Sequence, residues 1–165
     1  MSEFLSQTFQ DKSAKNLLFG FLIVVLLLNL IQAAATGLHP DEAYYWIYSK
    51  FLDWGYFDHP PMIAVLIKLG TFIFPGELGV RFFVVVIGTL SVYLIEKLTN
   101  PANLKLFYAI VLNTAILQIG GIIAVPDIPL LFFTALIFWM YKKYTENINW
   151  TNAVLLSITV ALLLY

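Results

Sequence analysis

Residues 17–35 read LLFGFLIVVLLLNLIQAAA, nineteen positions interrupted only by Asn29 and Gln32. A helix rises about 1.5 Å per residue, and a bilayer core is about 30 Å thick, so a run of this length spans it. The run is too long for the apolar region of a secretory signal, and the AAATG that closes it is a poor cleavage site. It reads as a first transmembrane helix preceded by a polar tail, residues 1–16. The rest of the 165-residue chain fits. Hydrophobic residues make up 61 %, charged residues 12 %, and the mean hydropathy is +0.85. A soluble domain runs at about 45–50 % apolar and about 25 % charged. The composition excludes a soluble globular enzyme, a disordered chain and a nucleic-acid binder. A net charge of −1 excludes a strongly basic or acidic partner surface. The chain has no cysteine, which excludes disulfides, thiol catalysis and thiolate metal sites, and its only histidines are His39 and His59.

Working outward from the first span, further apolar segments cover 80–96, 104–124, 128–144 and 152–165. The fold class expected is all-α membrane: transmembrane helices with external amphipathic helices at the interface, in one domain over 1–165. The segment 62–74 is short, carries Lys68 in its middle and ends at Pro75-Gly76. If it does not cross and the N-terminus is cytoplasmic, Lys12, Lys15, Lys97, Lys105, Lys142 and Lys143 lie inside. Lys50, Lys68 and Arg81 then lie outside, six against three. If it crosses, that asymmetry is lost. The expectation is an interfacial or re-entrant helix, which makes 36–78 one long external region and Val125-Pro126-Asp127 a second external turn.

The external region carries GLHPDEAYYWIYSKFLDWGYFDHPP, residues 37–61. Pro40 suits the first position of a helix, and Asp41 and Glu42 fall in its first turn, where the dipole favours negative charge. Tyr44, Ile47, Tyr48 and Phe51 share one face at helical spacing. Such a helix lies flat in the interface, and its aromatic stripe, with Tyr45 and Trp46, reads either as a membrane anchor or as a sugar platform. Gly55 ends it, and Pro60-Pro61 stiffen the loop that carries Asp58. Asp41 and Glu42 fit simple helix-start charges as well as chemistry. His59 fits a loop residue as well as a ligand. Asp127 fits a helix cap or an active acid beside hydrocarbon. Arg81 either snorkels or binds an anionic lipid phosphate.

HPDEAYYW (39–46), DHPP (58–61), GVR (79–81) and PDIPL (126–130) stand in an order and spacing that resemble the start of the GT-C superfamily of integral-membrane glycosyltransferases. The resemblance is to glycosyltransferase family 39-like proteins, related to protein O-mannosyltransferases and lipid A aminoarabinose transferases, and covers about residues 17–145. It implies a bacterial inner or plasma membrane protein with its active site extracytoplasmic. The reaction implied is inverting transfer of a sugar from a polyprenyl-phosphate donor to a lipid, glycan or protein acceptor, with no nucleic-acid partner. It maps three acidic positions onto Asp41, Asp58 and Asp127. A divalent metal is an open matter, with Asp58 and His59 as candidate ligands. Relatives run to several hundred residues, so the chain is expected to be an N-terminal portion, inactive alone.

The chemistry matches these residues. Polyprenyl phosphate leaves readily, whereas the acceptor hydroxyl needs a base as it attacks C1. Asp41 is the expected base with Glu42 second and Asp58 able to share the role. Asp127, His59, Arg81, Tyr45 and Trp46 are the expected substrate contacts, with His59 and Arg81 toward the donor phosphate. The rival reading is non-enzymatic, a transporter or scaffold fragment. Transporters place ionisable groups near the midplane, and here the carboxylates sit in loops and at helix ends on one face.

Overall fold

The computed structural model describes residues 2–114 and 122–165, with side chains from residue 16 onward. Among the described residues the chain is all helix: α1 (Ser2–Ala35), α2 (Pro40–Lys50), α3 (Met62–Ile73), α4 (Gly76–Thr99), α5 (Leu104–Asn113), α6 (Asp127–Glu146) and α7 (Trp150–Leu164). The chain is an all-α membrane protein, and two helices, Asn16–Ala35 within α1 and Gly76–Thr99, are long and apolar enough to cross a bilayer.

α1 shows why the solvent around it is lipid. Leu18, Leu22, Val25, Asn29 and Ala33 form one buried stripe at intervals of three and four, while Phe19, Ile23, Val24, Leu27, Leu28 and Ile31 are exposed. In water the outer face of such a helix would be polar. Here it is as apolar as the inner one, and the polar Asn29 is on the inside.

α4 is the central post, with α1, α3 and α6 packed around it. α3 joins it through a tight hairpin. Gly76 turns the chain at φ +67°, a left-handed conformation that glycine adopts freely. Backbones then approach so closely that a Cβ on Gly79 would lie 2.1 Å from the Phe74 carbonyl oxygen. α3 has twelve residues, about 18 Å of rise, and is too short for a bilayer core.

Two apolar cores follow. One joins α2, α3, α4 and α6 through Tyr45, Ile63, Ile67, Val84 and Ile128. The other joins α1, α4 and α5 through Leu22, Val92 and Tyr108, with the Phe21 and Tyr108 rings stacked at 4.3 Å.

Helix bounds differ from the sequence expectation in places. α4 begins at Gly76 rather than Val80, because the hairpin turn supplies its start. Of the segment expected to span 104–124, α5 covers Leu104–Asn113, and residues 115–121 lie outside the described residues. Asn149 caps α7, accepting the Asn152 N–H at 2.8 Å. α7 then runs back until the Tyr165 carbonyl accepts the Met62 N–H at 3.2 Å. The C-terminal end of α7 meets the N-terminal ends of α3 and α6, while the C-terminal end of α1 and the start of α2 meet α4 at Arg81.

Candidate active site

The His-Pro-Asp-Glu motif folds as a helix start. Pro40 restricts His39 to an extended conformation (ψ 151°) and occupies the first helical position. A capping box follows: the Glu42 carboxylate accepts the His39 N–H at 2.8 Å, while His39 Nδ1 faces the Asp41 N–H at 3.4 Å. One residue of difference along a helix is about 100° of rotation, and it separates the acidic pair. Asp41 points out, its side chain 65 % exposed. Glu42 points in, with none of its surface exposed.

Buried charge is costly unless paired and hydrogen-bonded. Glu42 is both. Arg81 donates to it in a fork, Nε to Oε1 at 2.7 Å and Nη2 to Oε2 at 2.5 Å. The Ala124 N–H donates to Oε1 at 2.8 Å. With the His39 N–H, each carboxylate oxygen takes two donors. Burial pushes the Glu42 carboxyl upward, and the hydrogen bonds from Arg81, Ala124 and His39, with the Arg81 charge, outweigh it and hold the group below its ordinary range. The rest of the guanidinium is also spoken for. Nη1 reaches the Ala33 and Thr36 carbonyls at 3.0 and 2.7 Å and Thr36 Oγ1 at 2.8 Å, and Nη2 reaches the Gly37 carbonyl at 2.8 Å. This knot ties the end of α1, the start of α2, α4 and the segment leading into α6.

Asp58 sits in a different setting. Tyr44 and Tyr48, one turn apart on α2, aim both phenols at it. Tyr44 Oη lies 3.1 and 3.0 Å from Oδ1 and Oδ2, and Tyr48 Oη lies 2.9 Å from Oδ1. The two phenol oxygens also touch each other. Tyr56 stacks on Tyr48 at 3.9 Å and steadies it. Residual desolvation pushes the Asp58 carboxyl up, but the Tyr48 and Tyr44 hydrogen bonds and the His59 charge pull it below its ordinary value. The Tyr48 phenol is raised in turn, chiefly by its bond with Tyr44 and also by Asp58. His59 Nε2 is 3.8 Å from Asp58 Oδ2, and the His59 ring lies 5.2 Å from that of Tyr45.

Tyr45 links the acidic positions. It is buried, and burial is the first cause that raises its phenol; the charges of Asp41, Asp58 and Asp127 raise it further, so all three carboxylates act on one hydroxyl. Asp127 opens α6 and borders an apolar cavity of ≈ 140 Å³ with Pro60, Met62, Leu130 and Tyr165.

The structure sets Asp58 against Tyr44 and Tyr48, His59 against Tyr45, and Asp127 in one cavity with Pro60; Asp41 stays exposed at the start of α2, and Glu42 and Arg81 are sealed in the interior. Two expectations are corrected. Glu42 has no lone pair free for a second base. Arg81 neither snorkels nor faces a donor phosphate, because all five of its N–H groups already meet protein acceptors. Trp46 stands apart, under Lys50 (Nζ 4.5 Å from the ring centroid), beside a groove with Phe74 and Glu77. Tyr44, Tyr48 and the Ala124 N–H were not foreseen. The two tyrosines carry the only visible signal, an i, i+4 pair of hydroxyl-bearing rings.

A family model described as dolichyl-phosphate-mannose-protein mannosyltransferase matches residues 58–165, more than half of the chain. The chain belongs to that family. It is a membrane glycosyltransferase of the GT-C type. The match begins at Asp58 and takes in His59, Arg81 and Asp127, and the Glu42 knot joins the preceding His-Pro-Asp-Glu motif to it. No curated protein and no solved structure matches the chain.

The resemblance leaves a divalent metal open, with Asp58 and His59 as candidate ligands. Among the described residues no three His, Asp or Glu side chains group closely enough to hold one, and Asp58 already takes two phenols.

Proposed function

We propose that this chain forms the acidic end of a transferase that moves a sugar from a polyprenyl-phosphate carrier to an acceptor hydroxyl. The observation that carries the reading is the family match over 58–165 together with the placing of the acids: Asp41 stands one turn before Tyr44, Tyr44 and Tyr48 hold Asp58, and Asp127 shares a cavity with Pro60, two residues after Asp58. Asp41 is the general base: it is exposed, whereas Glu42 is sealed and Asp58 is clamped. The acceptor oxygen forms a bond to C1 of the sugar, its proton passes to Asp41, and the C1–O bond to phosphate breaks with its electron pair on the leaving polyprenyl phosphate. The sugar inverts. Asp58 and Asp127 orient sugar hydroxyls, and His59 faces the phosphate. Glu42 and Arg81 are positioning residues that hold the Asp41 and Asp127 elements in register.

The test is transfer from a polyprenyl-phosphate sugar by the protein that carries this sequence. Asp41→Asn keeps donor binding and lowers turnover by about 10²–10⁴-fold, the usual worth of a general base. Turnover within a few-fold of wild type would make Asp41 a helix-start charge only.

The same reading puts residues 36–78 and 125–127 on the extracytoplasmic side and the N-terminus in the cytoplasm, supported by the charge asymmetry and by the meeting of the α1 end and the α2 start at Arg81. The chain has no cysteine, so single thiols report cleanly. An impermeant reagent applied from outside labels Glu77→Cys and spares Asn103→Cys; the reverse pattern inverts the topology.

A further inference from the structure

The loop after α2 is braced from within to hold apolar side chains outward. Phe51, Leu52, Trp54 and Phe57 are all exposed, Phe57 completely. Tyr56 turns back instead. Its ring stacks on Tyr48, its hydroxyl lies 3.0 Å from the carbonyls of both Tyr48 and Phe51, and it accepts the Asp53 N–H at 3.3 Å. Asp53 Oδ1 in turn takes the Trp54 N–H at 2.7 Å. The polar residues satisfy the loop's backbone, and the large apolar ones are left facing out, an arrangement that costs free energy in water.

The level of the loop is fixed by one contact. Trp54 packs edge-on against Tyr165, ring centroids 5.9 Å apart, and Tyr165 lines one cavity with Asp127, the first residue of α6. Tryptophan and tyrosine level with the start of such a helix mark the membrane–water boundary, where an apolar ring with one polar edge is best solvated.

We infer that residues 51–57 form a membrane-inserted knuckle: Phe51, Leu52, Trp54 and Phe57 enter the headgroup–acyl boundary of the leaflet at this end of the bundle, and Asp58 is thereby held at the lipid surface. An amphipathic element of this kind sits about 5–10 Å into that boundary. The inference concerns the loop alone and stands whether or not the transfer reaction proposed above is right.

The test uses the whole chain reconstituted in phosphatidylcholine bilayers, with Trp54 as its one tryptophan after Trp46→Phe, Trp139→Phe and Trp150→Phe. Lipids brominated near the top of the acyl chain quench most of the Trp54 emission, those brominated near the chain end quench less, and aqueous iodide has little effect. A spin label on Phe57→Cys, with the tryptophans intact, gives an independent reading should the triple substitution disturb folding: oxygen relaxes it more than a water-soluble nickel complex does. Strong iodide quenching with dominant nickel relaxation would overturn the inference and leave the loop in water. Shielding of both positions from lipid and aqueous probes alike would also overturn it, in favour of a protein partner.

Discussion

Glu42 and Asp58 are both carboxylates held by several donors, and both are kept ionised, yet they are built for different ends. Glu42 is closed: four donors, no exposed surface, and partners drawn from three parts of the chain. Asp58 is open: two phenols from one helix, His59 as a third neighbour, and a side chain 39 % exposed. A closed carboxylate cannot meet a substrate, but it can fix where other groups stand. An open one can give up a phenol to a sugar hydroxyl at small cost. On the proposed reading, the positioning and working acids differ in how many of their lone pairs are spent.

The largest expected effect comes from opening the closed centre. Arg81→Met leaves the Glu42 charge buried without its main partner and costs about 3–5 kcal/mol of stability, read by unfolding in mild detergent. Adding Glu42→Leu removes the stranded charge and recovers part of that loss. It does not recover all, because the His39 and Ala124 N–H groups then lack an acceptor. Full recovery would show that the knot is only an ion pair. The pH dependence has a definite sign. Glu42 has a folded pKa below its ordinary value of 4.5, so its stabilisation is complete above 4.5 and is lost as pH falls below it. Glu42→Gln flattens that acid limb.

This centre also marks the border of what the sequence discloses. The first turn of α2 was legible, since Pro40 and the acidic pair are local signals for a helix start. The first span was legible because its composition alone demands lipid. The opposite fates of Asp41 and Glu42 were not, because they depend on which side of α2 meets Arg81, 39 residues further on. Of the expected apolar face, Tyr44, Ile47 and Phe51 are exposed while Tyr48 packs against the core, and the buried residues of α2 are Glu42, Tyr45 and Ser49. Hydrophobic periodicity identifies a face; it does not say whether protein or lipid covers it.

The next effect tests the hairpin that presents Arg81. Gly79→Ala sets a methyl against the Phe74 carbonyl, a backbone atom that cannot swing away. Overpacking of this kind costs about 1–3 kcal/mol, and here the strain falls two residues from Arg81. The same measurement on Gly20→Ala, where a Cβ would meet nothing within 4 Å, shows little change. Equal effects at both positions would mean the close approach of α3 and α4 is not a constraint.

Asp41→Asn should be nearly silent in the folded state. Its side chain is mostly in solvent, and surface changes usually fall within about 0.5 kcal/mol. A stability loss as large as that of Glu42→Gln would erase the distinction between the two neighbours and move Asp41 into the knot.

The smallest effect concerns the open centre and is read by titration rather than by stability. Tyr44→Phe with Tyr48→Phe removes both phenol donors from Asp58 and leaves the rings in place. Desolvation, which pushes the carboxyl upward, is then opposed chiefly by His59, so the Asp58 pKa climbs from its depressed position toward the ordinary carboxylate range. The reciprocal change is Asp58→Asn, which lowers the raised Tyr48 phenol because one of the groups stabilising its protonated form is gone. Carboxyl-carbon NMR of Asp58 and ultraviolet titration of the tyrosines follow the two shifts. In each single variant the movement is smaller than in the pair, since either phenol alone still reaches Oδ1. An Asp58 titration that stays fixed in the double variant would mean that the phenols merely lie near it, and the open centre would then hold a free carboxylate able to compete with Asp41 for the acceptor's proton.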